Sequence, residues 1–118
     1  MKIICSKSDL VKGVGIVSKA VSSKTTMPIL ECILIDATTD IIKLTANDME
    51  LGIQTIIEGD IRERGMIAIN AKTFSEFVRK LPDNDVTIET DDNLQMKITC
   101  EKVVLNISGK PGEEFSYL

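Results

Sequence analysis

The sequence predicts an α+β domain in which two helices pack on antiparallel sheets and one strand-helix-three-strand unit occurs twice. Two stretches place apolar residues at helical spacing, Leu10 to Val21 and Phe74 to Leu81. The segments that follow each of them switch to alternating apolar and polar residues, the period of a half-buried strand. The two helix starts lie roughly 60 residues apart, which is room for one complete supersecondary unit. A chain of 118 residues, 43% hydrophobic and 27% charged, suits one domain over residues 1–118 built on a single core.

The first helix is placed near Ser8. Ser6 and Asp9 stand three apart ahead of the periodic stretch, where a Ser cap and an acidic third residue satisfy each other's free backbone N–H groups. Leu10, Val14, Val17 and Val21 fall on one face, and Lys12 and Lys19, seven apart, share another. Gly13 and Gly15 each cost up to about 1 kcal/mol relative to Ala, so this helix depends on packing. After Met27-Pro28, strands are expected at about 31–38, 41–46 and 49–57. In the second, Ile42, Leu44 and Ala46 alternate with Ile41, Lys43 and Thr45; in the third, Met49, Leu51, Ile53 and Thr55 alternate with Glu50, Gly52 and Gln54. The run Asp36-Ala37-Thr38-Thr39-Asp40 and the pair Asn47-Asp48 supply short polar residues for the turns. A strand near 65–69 leads to Asn70, a suitable N-cap, and then to Phe74, Phe77, Val78 and Leu81 at i, i+3, i+4 and i+7, a second helix ended by Pro82. Three more strands follow, carrying Val86 and Ile88, then Leu94, Met96 and Ile98, then Val103, Leu105 and Ile107. Asp91-Asp92-Asn93 and Cys100-Glu101-Lys102 join them.

Composition excludes several chemistries. Histidine and Trp are absent and aromatic residues make up 3% of the chain, so histidine acid-base work and a rich base-stacking surface are ruled out. Cys5, Cys32 and Cys100, with spacings of 27 and 68, fit neither a disulfide framework nor a paired metal motif, and all three fall in strands as small buried hydrophobes. A reducing, cytoplasmic setting is expected. The N-terminus lacks an apolar run of signal-peptide length, and no stretch of about 18 apolar residues occurs, so neither secretion nor membrane association is predicted. Gly13-Val14-Gly15 before Ser18-Lys19 imitates a phosphate loop without its preceding buried strand or its terminal Lys-Ser/Thr. Asp48 and Glu50 alternate with apolar residues and have no partner acid, base or metal ligand, so they read as a solvated strand face.

The charge is unevenly distributed. Segments 7–24 and 71–80 hold seven basic residues, Lys7, Lys12, Lys19, Lys24, Lys72, Arg79 and Lys80, against Asp9 and Glu76. That is a net of +5, which leaves −9 for the rest of a chain whose formal total is −4. With each helix's apolar face on a sheet, the exposed face is the basic one. Lys12, Lys19, Lys72 and Arg79 are therefore expected on one side of the domain, and Glu50, Gln54 and Lys97 on outward sheet faces. A basic, aromatic-poor surface suits contact with phosphates and leaves the bases unread. The alternative is a protein-interaction module that uses an exposed edge such as 103–108 to extend a partner's sheet.

Three ordered stretches carry a family resemblance: Thr26-Met27-Pro28-Ile29-Leu30, then Leu44-Thr45-Ala46-Asn47-Asp48-Met49-Glu50, then Ala71-Lys72-Thr73-Phe74 running to Arg79-Lys80-Leu81-Pro82. Together they resemble the N-terminal domain of the bacterial DNA polymerase sliding clamp, the beta subunit of polymerase III, over the whole chain. Met1-Lys2-Ile3 is similar to that domain's first strand, and Pro111-Gly112-Glu113-Glu114-Phe115 to its exit, so that 111–118 would begin an interdomain linker. The resemblance implies a DNA clamp fold and a place as the first of three domains in a chain that forms a head-to-tail homodimer around double-stranded DNA. It implies no bond chemistry and no cofactor. By the same resemblance, Lys24 matches a position that contacts DNA, and Lys12, Lys72 and Arg79 match basic positions facing the channel; Lys19 and Lys80, on the same basic segments, are expected to bind DNA with them. Leu105 and Ile107, with Lys102 and Val104, would lie on the edge meeting the second clamp subunit. Polymerase and clamp loader would bind through domains outside this chain. Lys24 stands where Arg is usual, which keeps the charge but loses a bidentate grip on phosphate; Thr99 and Val104 stand where some relatives carry Arg.

Overall fold

The computed structural model describes residues 1–22 and 27–116. In chain order its elements are β1 (Lys2–Ser6), α1 (Lys7–Val17), β2 (Cys32–Ala37), β3 (Ile42–Asn47), β4 (Gly52–Ile57), β5 (Asp60–Glu63), β6 (Gly65–Asn70), α2 (Ala71–Arg79), β7 (Asp85–Thr90), β8 (Gln95–Cys100), β9 (Val103–Ser108), β10 (Lys110–Pro111) and α3 (Gly112–Ser116). Short 3-10 turns over Ser18–Ala20 and Pro28–Glu31 flank the α1–β2 connection. The strands form two five-stranded sheets, ordered β5-β1-β7-β8-β9 and β10-β6-β2-β3-β4. All the pairings are antiparallel.

The duplication is visible in this topology. The first half runs β1-α1-β2-β3-β4-β5 and the second β6-α2-β7-β8-β9-β10, with helix starts at Lys7 and Ala71. The halves exchange strands: β1 pairs with β7 of the second half, and β6 pairs with β2 of the first. In each half the last residue of the leading strand is also the helix N-cap. Ser6 Oγ accepts from the Asp9 N–H at 3.1 Å and Asn70 Oδ1 accepts from the Thr73 N–H at 3.0 Å, so one free donor of each helix start is satisfied without any intervening loop.

Leu10, Val14 and Val17 of α1, with Phe74 and Val78 of α2, join the inward rows of both sheets in one core. Matching the two caps places Gly13 opposite Phe77 in the repeat. A Cβ at Gly13 would stand 2.7 Å from Ile57 Cγ2 and 3.0 Å from Leu44 Cδ1, so only glycine lets α1 settle this closely on β3 and β4. With Phe77 in the matching place, α2 has no comparable contact with β9.

The structure corrects several boundaries. Each half carries a short fifth strand, β5 or β10, that the periodicity does not reveal. Three of the four residues of β5 are charged, and its strand conformation comes from backbone pairing with β1. The strand expected from residue 49 begins at Gly52, so Glu50 lies in a turn and off the outward sheet face, while Gln54 and Lys97 are exposed on strands. The turn is held by side-chain acceptors: Asn47 Oδ1 receives the Met49 N–H at 3.3 Å, and Asp48 Oδ1 receives the Glu50 and Leu51 N–H groups at 3.0 and 2.7 Å. Met49 accordingly adopts φ 78°. Lys102 belongs to the turn before β9. At the C-terminal end of the described residues β10 pairs with β6, and Phe115 of α3 is buried with Ile29, Leu30, Cys32, Leu34 and Ala68 in a second cluster on the outer face of β2 and β6.

Candidate nucleic-acid interface

The two helices that carry the basic residues pack against each other. Leu10, Gly13, Val14 and Val17 form the buried side of α1, and Ala71, Phe74 and Val78 that of α2. At 100° per residue, Lys12 lies about 160° around the axis from Leu10, and Lys72 about 160° from Phe74, so both project away from the core. Lys12, Lys19, Lys72, Arg79 and Lys80 are exposed. Lys19 sits in the 3-10 turn that extends α1, and Lys80 caps the C-terminus of α2. None of the five takes part in an ion pair; among the described residues these are Arg62–Asp60 at 2.8 Å and Arg64–Asp40 at 2.7 Å, both on the β5 side of the domain. Lys24 lies outside the described residues.

The basic positions are not copies of one another. In the register fixed by the two caps, Lys12 of α1 matches Glu76 of α2, Lys72 matches Ser8, and Arg79 matches Gly15. The positive character of the two helices therefore arises at different points of a common scaffold. Lys12 stands in mixed company, because it lines an open groove of about 490 Å³ with Asp9, Ile16, Ile56 and Glu58 along β4.

Burial, with the carboxylates of Asp9 and Asp85 nearby, pushes the Cys5 thiol up to about 12, and burial also raises Cys32 and Cys100, so all three remain protonated and unreactive. Asp48, expected with Glu50 on a solvated strand face, lies instead in the turn and is held below its ordinary range by the Leu51 and Glu50 N–H groups it accepts. Phe74 and Phe115 are buried and Phe77 is half-buried against the core, so among the described residues no aromatic ring is exposed to stack on a base.

On the edges of the sheets, Val104 is exposed, whereas Leu105 and Ile107 are half-buried against the domain's own core. The sequence singled out the β9 edge; β4, expected as a strand over 49–57, closes the other sheet in the same way. No helix of the described residues is long and apolar enough to cross a membrane.

Comparison with known proteins gives a consistent result. The family described as DNA polymerase III beta subunit, N-terminal domain, matches residues 1–118. The beta sliding clamps of Synechocystis sp. and Bacillus subtilis are each 38% identical to the chain and align with all of it, while the chain covers 32% and 33% of them. A crystal structure of a DNA polymerase III beta subunit from Eubacterium rectale superposes with a TM-score of 0.97 at 68% identity, over 100% of this chain and 32% of that one. The sliding clamp of Bacillus subtilis superposes with a TM-score of 0.95 at 36% identity, over 100% and 33%. The chain thus spans about a third of the length of these relatives.

Proposed function

Because the chain belongs to the family of the DNA polymerase III beta subunit N-terminal domain, we propose that it is the first domain of a sliding clamp, a ring that encircles duplex DNA and holds a polymerase to it without catalysing a reaction. The observation that carries this reading is the set of exposed, unpaired basic side chains on two adjoining helices, with no exposed aromatic ring among them. Lys12, Lys19, Lys72, Arg79 and Lys80, together with Lys24, would meet the phosphates across water. Such contacts are diffuse and salt-screened, so the ring stays on DNA by its closure and moves along it freely. A second subunit would meet Val104, Leu105 and Ile107 of β9 and the neighbouring Lys102, and polymerase and loader would dock on further domains. The setting is the cytoplasm.

The test is a fluorescence anisotropy titration of the chain with a linear duplex over a range of salt. Without a closed ring, binding should be no tighter than the micromolar range at physiological salt. Replacing Lys12, Lys72 and Arg79 by Ala should flatten the dependence of log K on log salt by about 0.9 for each phosphate contact removed. Sub-micromolar binding that persists at high salt, or an unchanged slope in the triple variant, would reject the assignment. The unpaired edge of β9 favours a second reading, an interaction module that extends a partner's sheet; unchanged salt slopes with intact β9-dependent pairing would select it.

A further inference from the structure

We propose that the turn joining β3 to β4 is a docking tip for a partner protein, which it meets through a short segment carrying an apolar side chain between basic ones. The duplicated fold does not require a turn of this kind. Asn47 pairs with Gly52 and Cys100 with Val103 at the ends of the two matching hairpins, so four residues, Asp48 to Leu51, close the first, and Glu101 with Lys102 suffices for the second. The longer turn is also the apolar one. Met49 is 61% exposed and Leu51 50%, whereas the shorter turn offers two charged side chains to water.

The longer turn is held in one shape. Besides the three N–H groups taken by the Asn47 and Asp48 side chains, the Asp48 N–H donates to the Leu51 carbonyl at 3.1 Å. Met49 at φ 78° stands where Gly or Asn is the unstrained choice. The turn's geometry accounts for that angle but not for the residue, since a bulky apolar side chain here fills no core. Strained backbone that presents an exposed side chain is a recurrent feature of binding sites, and an anchor ordered in advance loses less freedom on association.

Shape and charge define the partner. Met49, Glu50 and Leu51, with Asn47 and Gly52, line an open hollow of about 220 Å³, which has room for one apolar side chain. No basic residue lies between Asn47 and Gly52. Glu50 is exposed and belongs to neither ion pair of the described residues, so its carboxylate is free for a Lys or Arg beside the seated side chain. The same carboxylate disfavours phosphate, which separates this tip from the basic surface of α1 and α2.

The test follows the backbone amide NMR shifts of the 118-residue chain during titration with two peptides, acetyl-Gly-Arg-Leu-Arg-Gly-amide and its counterpart with Glu in place of Arg. The basic peptide should move the amides of 47–52 along a saturating curve, and the acidic one should bind there about tenfold more weakly or less. Met49→Asn, which suits the backbone, should weaken binding of the basic peptide by about five- to twentyfold through lost apolar area, with no loss of thermal stability at so exposed a position. Glu50→Lys should weaken the basic peptide by about two- to fivefold, the scale of one exposed ion pair, and strengthen the acidic one. Shifts confined to other parts of the domain, an equal response to both peptides, or a Met49→Asn chain that binds as the parent does would overturn the proposal. Shifts at the turn that grow with protein concentration alone would assign it to a second copy and overturn it equally. None of these results bears on the DNA titration, so the two proposals fail separately.

Discussion

Gly13 and Gly15 stand two residues apart in α1 and read alike in the sequence, yet their surroundings are opposite. Gly15 has nothing within 4 Å of where a Cβ would lie, whereas at Gly13 the Ile57 methyl is 2.7 Å away. Gly15→Ala should therefore stabilise the domain by about 0.5–1 kcal/mol through helix propensity. Gly13→Ala gains the same propensity but overpacks α1 against a branched side chain that cannot swing clear, and should destabilise by a net of about 1–2 kcal/mol. Urea denaturation of the two variants checks both signs. At Asp48, the N–H groups it accepts lower the folded-state pKa below its ordinary value of 3.8. The stabilisation is thus present above that value and is lost as pH falls through it and below. Asp48→Asn should melt at a lower temperature than the parent chain at pH 7, with the gap closing toward pH 3 in a series of thermal scans. The capping role of Ser6 was legible because a hydrogen-bonding pattern at fixed spacing announces it. The difference between the two glycines was not, since it depends on a strand more than 40 residues away.

Among the elements, the helices and the longer strands announced themselves through periodicity, and the failures occurred where periodicity is silent or misleading. Met49 and Leu51 prolong the alternation of β4 backward, but Asn47 and Asp48 take the backbone N–H groups that a strand would have needed. The short β5 and β10 are held by their neighbours' hydrogen bonds, so their own side chains carry no signal. For α3, five residues with two glutamates give no helical stripe, and its position depends on one ring. Phe115→Ala should destabilise the domain by about 3 kcal/mol, the scale for emptying a buried aromatic site. The loss should appear first as faster amide exchange at Leu30 and Cys32, which share that cluster, and at Lys110 of β10, which precedes α3. Equal exchange in parent and variant would show that α3 is held by something other than Phe115. The basic set on α1 and α2 was legible as composition, but its unequal placement in the two halves emerged only when the caps fixed the register.

For the molecule as a whole, the exchange of β1 and β6 between the halves is the feature with the widest reach. The first half alone lacks the neighbour that β2 needs, and the second half alone lacks the neighbour that β7 needs. Chains comprising 1–64 and 65–118 should each be unfolded in isolation and should regain the native far-UV circular dichroism when mixed; a cooperative thermal transition in either piece alone would contradict this. The same exchange imposes an order in time. On a ribosome β1 is made first, yet its β7 partner is about 80 residues behind it, an interval of about 4–16 s at roughly 5–20 residues per second. Throughout that interval Ile3 and Cys5 lack the strand that covers one flank of β1, and β2 waits for β6 in the same way. Codon usage between the two halves would therefore tune how long a nascent chain offers open strands to its neighbours, leaving the equilibrium stability of the finished domain untouched.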